Sequence, residues 1–514
     1  MDVVKQKAWR AATTGEAAAE TARLLRRLSL QLDFATGFCA LAGHSKEKVD
    51  ACKARAQHAD PATGLDGLKA IVASIEAELA DLGQAAKAYT IHCVGHGHID
   101  MNWMWSWPET VSTTHDTFAS VLDLMDKVPG FTYSQSQASV YAATEKYHPA
   151  QFEKIKQRVK EGRWEVAASH WVEGDKNLAS GESLCRHLLY TRRYFQEKFG
   201  LSPADVPVDW EPDTFGYAAT IPMFNTAGGV KYAYSCRPGG GWEHPRVGEP
   251  RPPVFWWRAQ DGSRVLVFRE TTWYNSYVNI GDDISAPMLA AAQATPGLRD
   301  WMNVYGVGNH GGGPTRAEVD YLAELATWPV YPNVVFSTAK RYFETVAAAG
   351  LDLPEIDHEL NYEFTGCYTS QSLIKQANRL GENYCVEAET LALLAGLDRR
   401  DTLRDAWTNV LFNQFHDILP GSGVRETREH ARAIFQETAA VTGAVKRDAL
   451  SLIASQVDTA SLVPGQAGAV EESALAGGAG QGAGLSGFSR ASGGSKSHRA
   501  FVVYNPCGWT RSEP

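Results

Sequence analysis

Tyr89-Thr90-Ile91-His92-Cys93-Val94-Gly95-His96-Gly97-His98-Ile99-Asp100-Met101-Asn102-Trp103 is an apolar run that stops abruptly in glycines, two histidines and an aspartate. The apolar part reads as a β-strand, and the glycines let the backbone turn tightly where it ends. In a parallel α/β sheet, chemistry collects just beyond the carboxyl ends of strands. His98 and Asp100 flank one residue there and are candidate metal ligands, with His96 a third candidate. Trp103 adds a flat apolar face. A plain turn with polar residues at a strand end fits the same letters about as well, so the stretch needs partners to be decided.

The surrounding sequence, residues 89–350, alternates strands and helices. Strands are expected at Thr90–Gly95, Phe131–Ser136, Trp164–Ser169, Val206–Trp210, Tyr232–Ser235 and Val304–Val307. Helices are expected at Thr110–Val128, Ala150–Glu161, Glu182–Phe199 and Thr315–Ala326. Repeated β-then-α units imply a mostly parallel sheet covered by helices. Two strands flanking Asp261-Gly262 within Val254–Arg269 predict a hairpin at the sheet's rim.

Residues 1–88 carry helical spacing in Ala-, Leu-, Glu- and Arg-rich runs and read as a helical extension. Residues 351–460 read as three long helices, Ser370–Leu394, Thr402–Phe415 and Val424–Val457, forming a bundle. Residues 461–498 are dominated by Gly, Ala and Ser and read as a flexible linker. Residues 499–514 open with Phe501-Val-Val-Tyr504, read as the first strand of a truncated β-domain. The expected fold is therefore α/β, with a mostly parallel sheet in a barrel-like catalytic domain followed by a three-helix bundle.

The 514 residues allow two to four domains, and 44% hydrophobic with 21% charged is ordinary globular composition. A net charge of −10 argues against nucleic acid or an anionic membrane as partner. The eight cysteines show no C-x-x-C spacing and read as buried free thiols of a reducing compartment. Neither a signal-peptide core nor a transmembrane-length apolar run is visible, so a cytoplasmic protein is expected. Fifteen tryptophans are many; core packing accounts for most, and stacking on sugar rings is a second use.

Three further segments carry concentrated polarity. Val208-Asp209-Trp210-Glu211-Pro212-Asp213-Thr214-Phe215-Gly216 puts three acids within five residues at a strand end, where helix capping is the ordinary role for Asp213. Asn413-Gln414-Phe415-His416-Asp417 ends a bundle helix, where a histidine also suits the helix dipole. Gly306-Val307-Gly308-Asn309-His310-Gly311-Gly312-Gly313-Pro314 lacks both nucleotide-binding glycine patterns, and its glycines are expected to bring backbone close to a ligand. Together they supply His98, Asp100, Asp213 and His416, a nitrogen and oxygen set suited to Zn²⁺, with Co²⁺ or Mn²⁺ compatible on ligand type.

These motifs resemble glycoside hydrolase family 38, the retaining α-mannosidases. The resemblance rests on His98-Ile-Asp100-Met-Asn-Trp103, Trp210-Glu-Pro-Asp213-Thr-Phe215-Gly, Gly308-Asn-His-Gly-Gly-Gly-Pro, Gly366-Cys-Tyr-Thr-Ser370, Asn413-Gln-Phe-His416-Asp417 and Phe501-Val-Val-Tyr-Asn505-Pro, in the family's order from Tyr89 to Trp509. It implies that His98, Asp100, Asp213 and His416 hold one zinc ion and that Asp213 is also the nucleophile. The zinc would grip adjacent hydroxyls of a terminal mannose, and a covalent glycosyl-enzyme on Asp213 would be hydrolysed with retention. It also implies that Trp103 and Phe215 line the sugar site, that Asp175 and Asp417 bond sugar hydroxyls, and that Arg237 lies near the nucleophile. The implied substrate is a mannose-containing oligosaccharide, and a homo-oligomer stays open.

Some family members place an acidic pair where this chain has Asn309-His310. His310 then takes the acid/base position, with Asp175 and Glu173 as substitutes. Two rivals are weighed beside this reading. An amidohydrolase-type metal hydrolase would use His96 and His98 as a ligand pair but leaves Asp213 and His416 without roles. A catalytically impaired carbohydrate-binding fragment would account for Asn309, yet the nucleophile and four ligands are intact.

Overall fold

Burial explains why residues 90–95 form a strand: every residue from Ile91 to Gly95 is enclosed, so only a fully paired central strand satisfies their backbone groups. The structure, a computed structural model, describes residues 3–11, 14–237, 252–271, 273–274, 281–361, 363–458, 502–505 and 507–512. Its strands are β1 (Thr90–Gly95), β2 (Tyr133–Gln135), β3 (Trp164–Val166), β4 (Val208–Glu211), β5 (Tyr232–Ser235), β6 (Val254–Arg258), β7 (Arg264–Arg269), β8 (Asp300–Tyr305), β9 (Asn333–Phe336) and β10 (Glu355–Ile356).

Among the described residues these strands form two five-stranded sheets, without a ladder joining them into a closed ring. The first has the order β3-β2-β1-β8, with β9 also pairing β1, and is parallel throughout. The second has the order β10-β6-β7-β5-β4, and its one antiparallel pair is β6 with β7. The mixed, mostly parallel α/β reading therefore holds. The hairpin around Asp261-Gly262 also forms, but not at a rim: β7 pairs β5 on its other side and β6 pairs β10. Its apolar residues Phe255, Trp257, Val265 and Val267 join Leu184, Tyr217, Ile221, Ala233 and Leu360 in one core.

β8 starts four residues before the expected Val304. Asp300 and Asn303 interrupt the apolar pattern, and the fold accommodates Asp300 by setting its carboxylate 2.9 Å from His92 Nε2 on β1.

The chain divides into two compact units, residues 1–378 with 411–432, and residues 379–410 with 433–514. The first holds both sheets and the N-terminal helices. Gly15–Ala42 is a 28-residue helix whose stripe Leu24, Leu25, Leu28, Leu32, Ala35 and Phe38 is buried. Gln31 fixes it to the α/β part by accepting from the Val330 amide at 2.9 Å, and donates at 2.6 Å to Glu76 of the neighbouring helix Gly64–Glu78.

The long C-terminal helices run Ser372–Leu394, Arg400–Phe412 and Arg425–Ala454. Within the second unit, Ala388 and Ala392, one turn apart, pack with Leu403 and Val445 in a small core, and buried Trp407 donates to Glu389 at 3.0 Å. Two sequence expectations fall differently. The Gly/Ala/Ser stretch 461–498 lies outside the described residues. Val502–Asn505 adopts no strand, since an extended segment needs a neighbour to ladder with. Among the described residues, no helix is long and apolar enough to cross a membrane.

Candidate metal centre and catalytic cleft

Most of the site is built from residues just beyond the carboxyl ends of strands: His98 and Asp100 after β1, Glu173 after β3, Asp213 after β4, Arg237 after β5, Trp273 and Tyr274 after β7, and Asn309 after β8. His416 and Asp417 come from the turns after helix Arg400–Phe412, in the segment that belongs to the same compact unit. A cleft of about 1280 Å³ opens over them, and its lining includes Asp100, Trp103, Asp213, Phe215, Arg237, Tyr274, Asn309 and Asp417.

At its floor, ligand atoms of His98, Asp100, Asp213 and His416 all lie within 4.8 Å of one another, and all four residues are buried. His98 Nε2 is 2.9 Å from Asp100 Oδ1 and 3.8 Å from Asp213 Oδ2, and His416 Nε2 is 3.4 Å from Asp100 Oδ1. Yet His98 Nε2, His416 Nε2 and Asp100 Oδ1 are buried without a well-directed hydrogen bond. Leaving such atoms unsatisfied is costly, and a cation among them would satisfy all three. The donor set therefore fits a divalent metal.

Electrostatics favour the same conclusion. Burial alone would lower the histidine pKa values. For His98 the charges of Glu173 and Asp100 outweigh it and hold the ring well above its usual range. For His416, Asp100, Asp417 and Asp213 do so, to about 9. Burial and the Asp100 charge push Asp417 up to about 7. Without a metal, protons fill part of the role a cation would play.

Asp213 is gripped from two sides. Arg237 Nε donates to Oδ1, and the Tyr274 hydroxyl donates to Oδ2 at 2.8 Å. Arg237 is itself held by Glu363 at 2.9 Å and lies over the rings of Phe364 and Trp273, 4.7 and 4.8 Å from their centroids.

The three acids of residues 209–213 have the same strand parity, so alternation alone would keep them on one face. They part company because β4 ends at Glu211 and the chain bends at Pro212 and Asp213. Asp209 and Glu211 share one face of β4 and turn away from the cleft floor into a buried cluster. His170 Nδ1 is 2.9 Å from Asp209, and Lys176 Nζ is 2.9 Å from Glu211. Burial lifts Glu211 to about 8 against the pull of Lys176. His170, Asp209 and Glu211 are spaced as a metal site could be, but the Lys176 ammonium already supplies their cation.

The Gly-rich loop reaches the cleft wall at Asn309. Its backbone clamps the His98–Asp100 turn: Asp100 N–H donates to Asn309 O at 2.9 Å and Gly311 N–H to His98 O at 3.2 Å. At Gly306, with φ of 123°, a Cβ would stand 2.1 Å from His96 O, so only glycine permits that approach.

Of the residues expected from sequence, Asp100, Trp103, Asp213, Phe215, Arg237 and Asp417 line the cleft, and His98 and His416 lie at its floor. Asp175 is buried and off the lining, with Oδ1 accepting from the amides of Asn177 and Leu178 at 2.9 and 2.5 Å. His310 is not brought to the cleft: it is exposed, 2.8 Å from Glu109 and edge-on to Trp105, while Asn309 lines the wall. His96 lies outside this four-residue set, with Nδ1 2.9 Å from Ser134 O, and falls instead in a second buried group with metal-ligand spacing, His96, His98 and Glu173. Tyr274 is the residue that sequence reasoning missed; aromatic residues just past the end of β7 were its only signal.

With this geometry in view, comparison with known proteins is informative. Residues 88–360 match the glycosyl hydrolases family 38 N-terminal domain, and residues 363–453 the alpha mannosidase middle domain. The chain belongs to glycoside hydrolase family 38. Alpha-mannosidase G of Dictyostelium discoideum is 32% identical over 353 residues, covering 68% of this chain and 32% of that protein. Human alpha-mannosidase 2C1 is 30% identical over 357 residues, covering 68% and 34%. The chain thus spans about a third of the length of these relatives. A crystal structure of an alpha-mannosidase from Enterococcus faecalis V583 superposes with a TM-score of 0.63 at 21% identity, over 73% of this chain and 44% of that one.

Proposed function

We propose that this chain carries the catalytic centre of a retaining α-mannosidase that removes terminal α-mannose from oligosaccharides. The observation that carries this reading is the convergence of His98, Asp100, Asp213 and His416 at the floor of a sugar-sized cleft, in a member of family 38. The same reading takes the two sheets as parts of a barrel-like domain and the three long helices as a bundle. It takes the cytosol as the setting, in keeping with five buried free thiols.

His98, Asp100, Asp213 and His416 would hold a zinc ion, with cobalt or manganese as alternatives. Bound there, the cation supplies positive charge that orients sugar hydroxyls and favours ionised carboxylates. The protein's own residues do the rest. Asp213 attacks the anomeric carbon as the glycosidic C–O bond breaks, the departing oxygen takes a proton from water in the open cleft, and a glycosyl ester forms. Water then attacks that carbon, returns a proton to solvent, releases mannose and frees the carboxylate. Arg237 and Tyr274 hold the carboxylate in the attacking orientation. Trp103 and Phe215 present apolar faces to the ring, and Asp417 accepts from its hydroxyls.

One observation favours a second reading: Asn309 lines the wall and His310 stands off it. Proton delivery would then be weak, and only mannosides with acidic leaving groups would turn over well. Metal analysis with hydrolysis of 2,4-dinitrophenyl and methyl α-mannosides tests both. Activity on each, lost in Asp213→Ala, supports the full enzyme, and activity on the dinitrophenyl substrate alone supports the impaired one. Metal-loaded protein inert toward both refutes an active mannosidase, and Asp213→Ala with undiminished activity refutes the nucleophile.

A further inference from the structure

We infer that Glu173 is the residue that sets the orientation of both histidine ligands, supported in turn by Ser136 and Gln137. This rests on the metal centre proposed above. One residue reaches both rings by different groups. The Glu173 carboxylate Oε2 lies 2.8 Å from His98 Nδ1, a close ion-pair contact and not a well-directed hydrogen bond, and the Glu173 backbone carbonyl accepts from His416 Nδ1 at 2.7 Å. The same carbonyl also accepts the His416 amide at 3.2 Å. An imidazole that turns a protonated Nδ1 toward an oxygen presents its Nε2 lone pair in the opposite direction. For both rings that direction is toward Asp100, and the rings stack at 5.4 Å with planes 16° apart.

Glu173 is itself fixed from outside. Its second carboxylate oxygen accepts from the Ser136 hydroxyl, and its amide donates to Gln137 Oε1 at 3.2 Å. The Gln137 side-chain amide donates at 2.8 Å to the carbonyl of Ile99, the residue between His98 and Asp100. Gln137 has φ of 61°, a left-handed conformation that a non-glycine residue adopts only when its surroundings enforce it. From that conformation its side chain makes the two bonds that tie the His98 turn to the Glu173 turn. Glu173 is 1% exposed, and neither it nor Ser136 nor Gln137 lines the cleft, so the three act on the metal ligands without touching the sugar. Glu173 is a positioning residue, not the acid/base substitute.

The test uses the full chain, stripped and reloaded with Zn²⁺ or Co²⁺. Glu173→Gln keeps the shape and the carbonyl but weakens the pull on His98 Nδ1. Metal affinity, measured by chelator competition, is expected to fall roughly 10–100-fold, and the visible bands of the Co²⁺-loaded protein to shift. Ser136→Ala leaves Glu173 in place but unties it, and is expected to move both readouts the same way by less. It also serves should Glu173→Gln not fold. Wild-type affinity and an unchanged Co²⁺ spectrum in a folded variant would overturn the inference while leaving the metal centre standing. Failure of the wild-type chain to bind either metal would overturn the centre itself, and the inference with it.

Discussion

Tyr274 donates its hydroxyl to Asp213 Oδ2 at 2.8 Å, on the carboxylate oxygen opposite the one that Arg237 holds. Burial, and then the Asp213 and Asp100 charges, raise the Tyr274 pKa far above its ordinary value, so the phenol is a donor at any physiological pH. A hydrogen bond to a charged group contributes about 1.5–3 kcal/mol. Tyr274→Phe is therefore expected to lower kcat roughly 10–100-fold, with a smaller change in KM, because the bond aims the attacking atom and does not hold the sugar. Steady-state kinetics on an aryl α-mannoside checks this, and equal kcat for the two proteins refutes it.

His310 and Asn309 separate by geometry. His310 is exposed and occupied by Glu109, so His310→Gln is expected to leave kcat/KM within about twofold, whereas loss of a true acid/base costs about 10²–10⁴-fold. Asn309 tolerates exchange for Asp: both residues accept its φ of 57°, and Asp keeps the oxygen that accepts from the His310 amide at 2.7 Å. Asn309→Asp is expected to raise the rate on methyl α-mannoside more than on the dinitrophenyl substrate. Equal effects on both would show that no proton donor was gained.

Metal binding is expected to release protons at neutral pH. His416 titrates near 9 in the metal-free site, so it carries a proton at pH 7 that a ligand must lose. Apparent affinity for Zn²⁺ then rises as pH increases from 6 toward 9. Calorimetry in buffers of different ionisation enthalpy reads the released protons directly, and a buffer-independent heat contradicts the assignment.

His187 predicts how stability responds to acid. Its Nδ1 accepts from the Trp171 amide at 3.3 Å and its Nε2 faces Gln414 Oε1 at 3.1 Å. Burial, with His170 and Lys176 adding to it, holds its pKa well below the usual histidine value. Above about pH 6.5 the ring is neutral in both folded and unfolded chains and makes no difference. Below that, the unfolded chain takes up a proton the folded one refuses, and stability falls by up to about 1.4 kcal/mol per pH unit. Melting curves from pH 7.5 to 5.0 should therefore show a shallower acid slope for His187→Gln than for wild type. Parallel slopes would remove His187 from the account.

Much of this protein was legible in its sequence. The period of apolar residues defined β1, the hairpin around Gly262 and the long helices, because each depends on neighbours close in the chain. The candidate ligands His98, Asp100, Asp213 and His416 were visible as polar residues stranded at the ends of elements, where packing alone gives no reason for them. Their convergence within 4.8 Å, from segments hundreds of residues apart, is a property of the fold. Tertiary structure also separated neighbours that sequence could not. Asp209 and Glu211, inside β4, face Lys176, whereas Asp213, past the end of that strand, lies in the cleft. One residue of backbone direction set Asn309 on the wall and His310 in solvent, and the backbone around them bonds the His98–Asp100 turn. Periodicity fixes what a residue's own element does with it, whereas long-range packing decides which other element it meets. The closeness of Glu173 to both histidines belongs to that second kind.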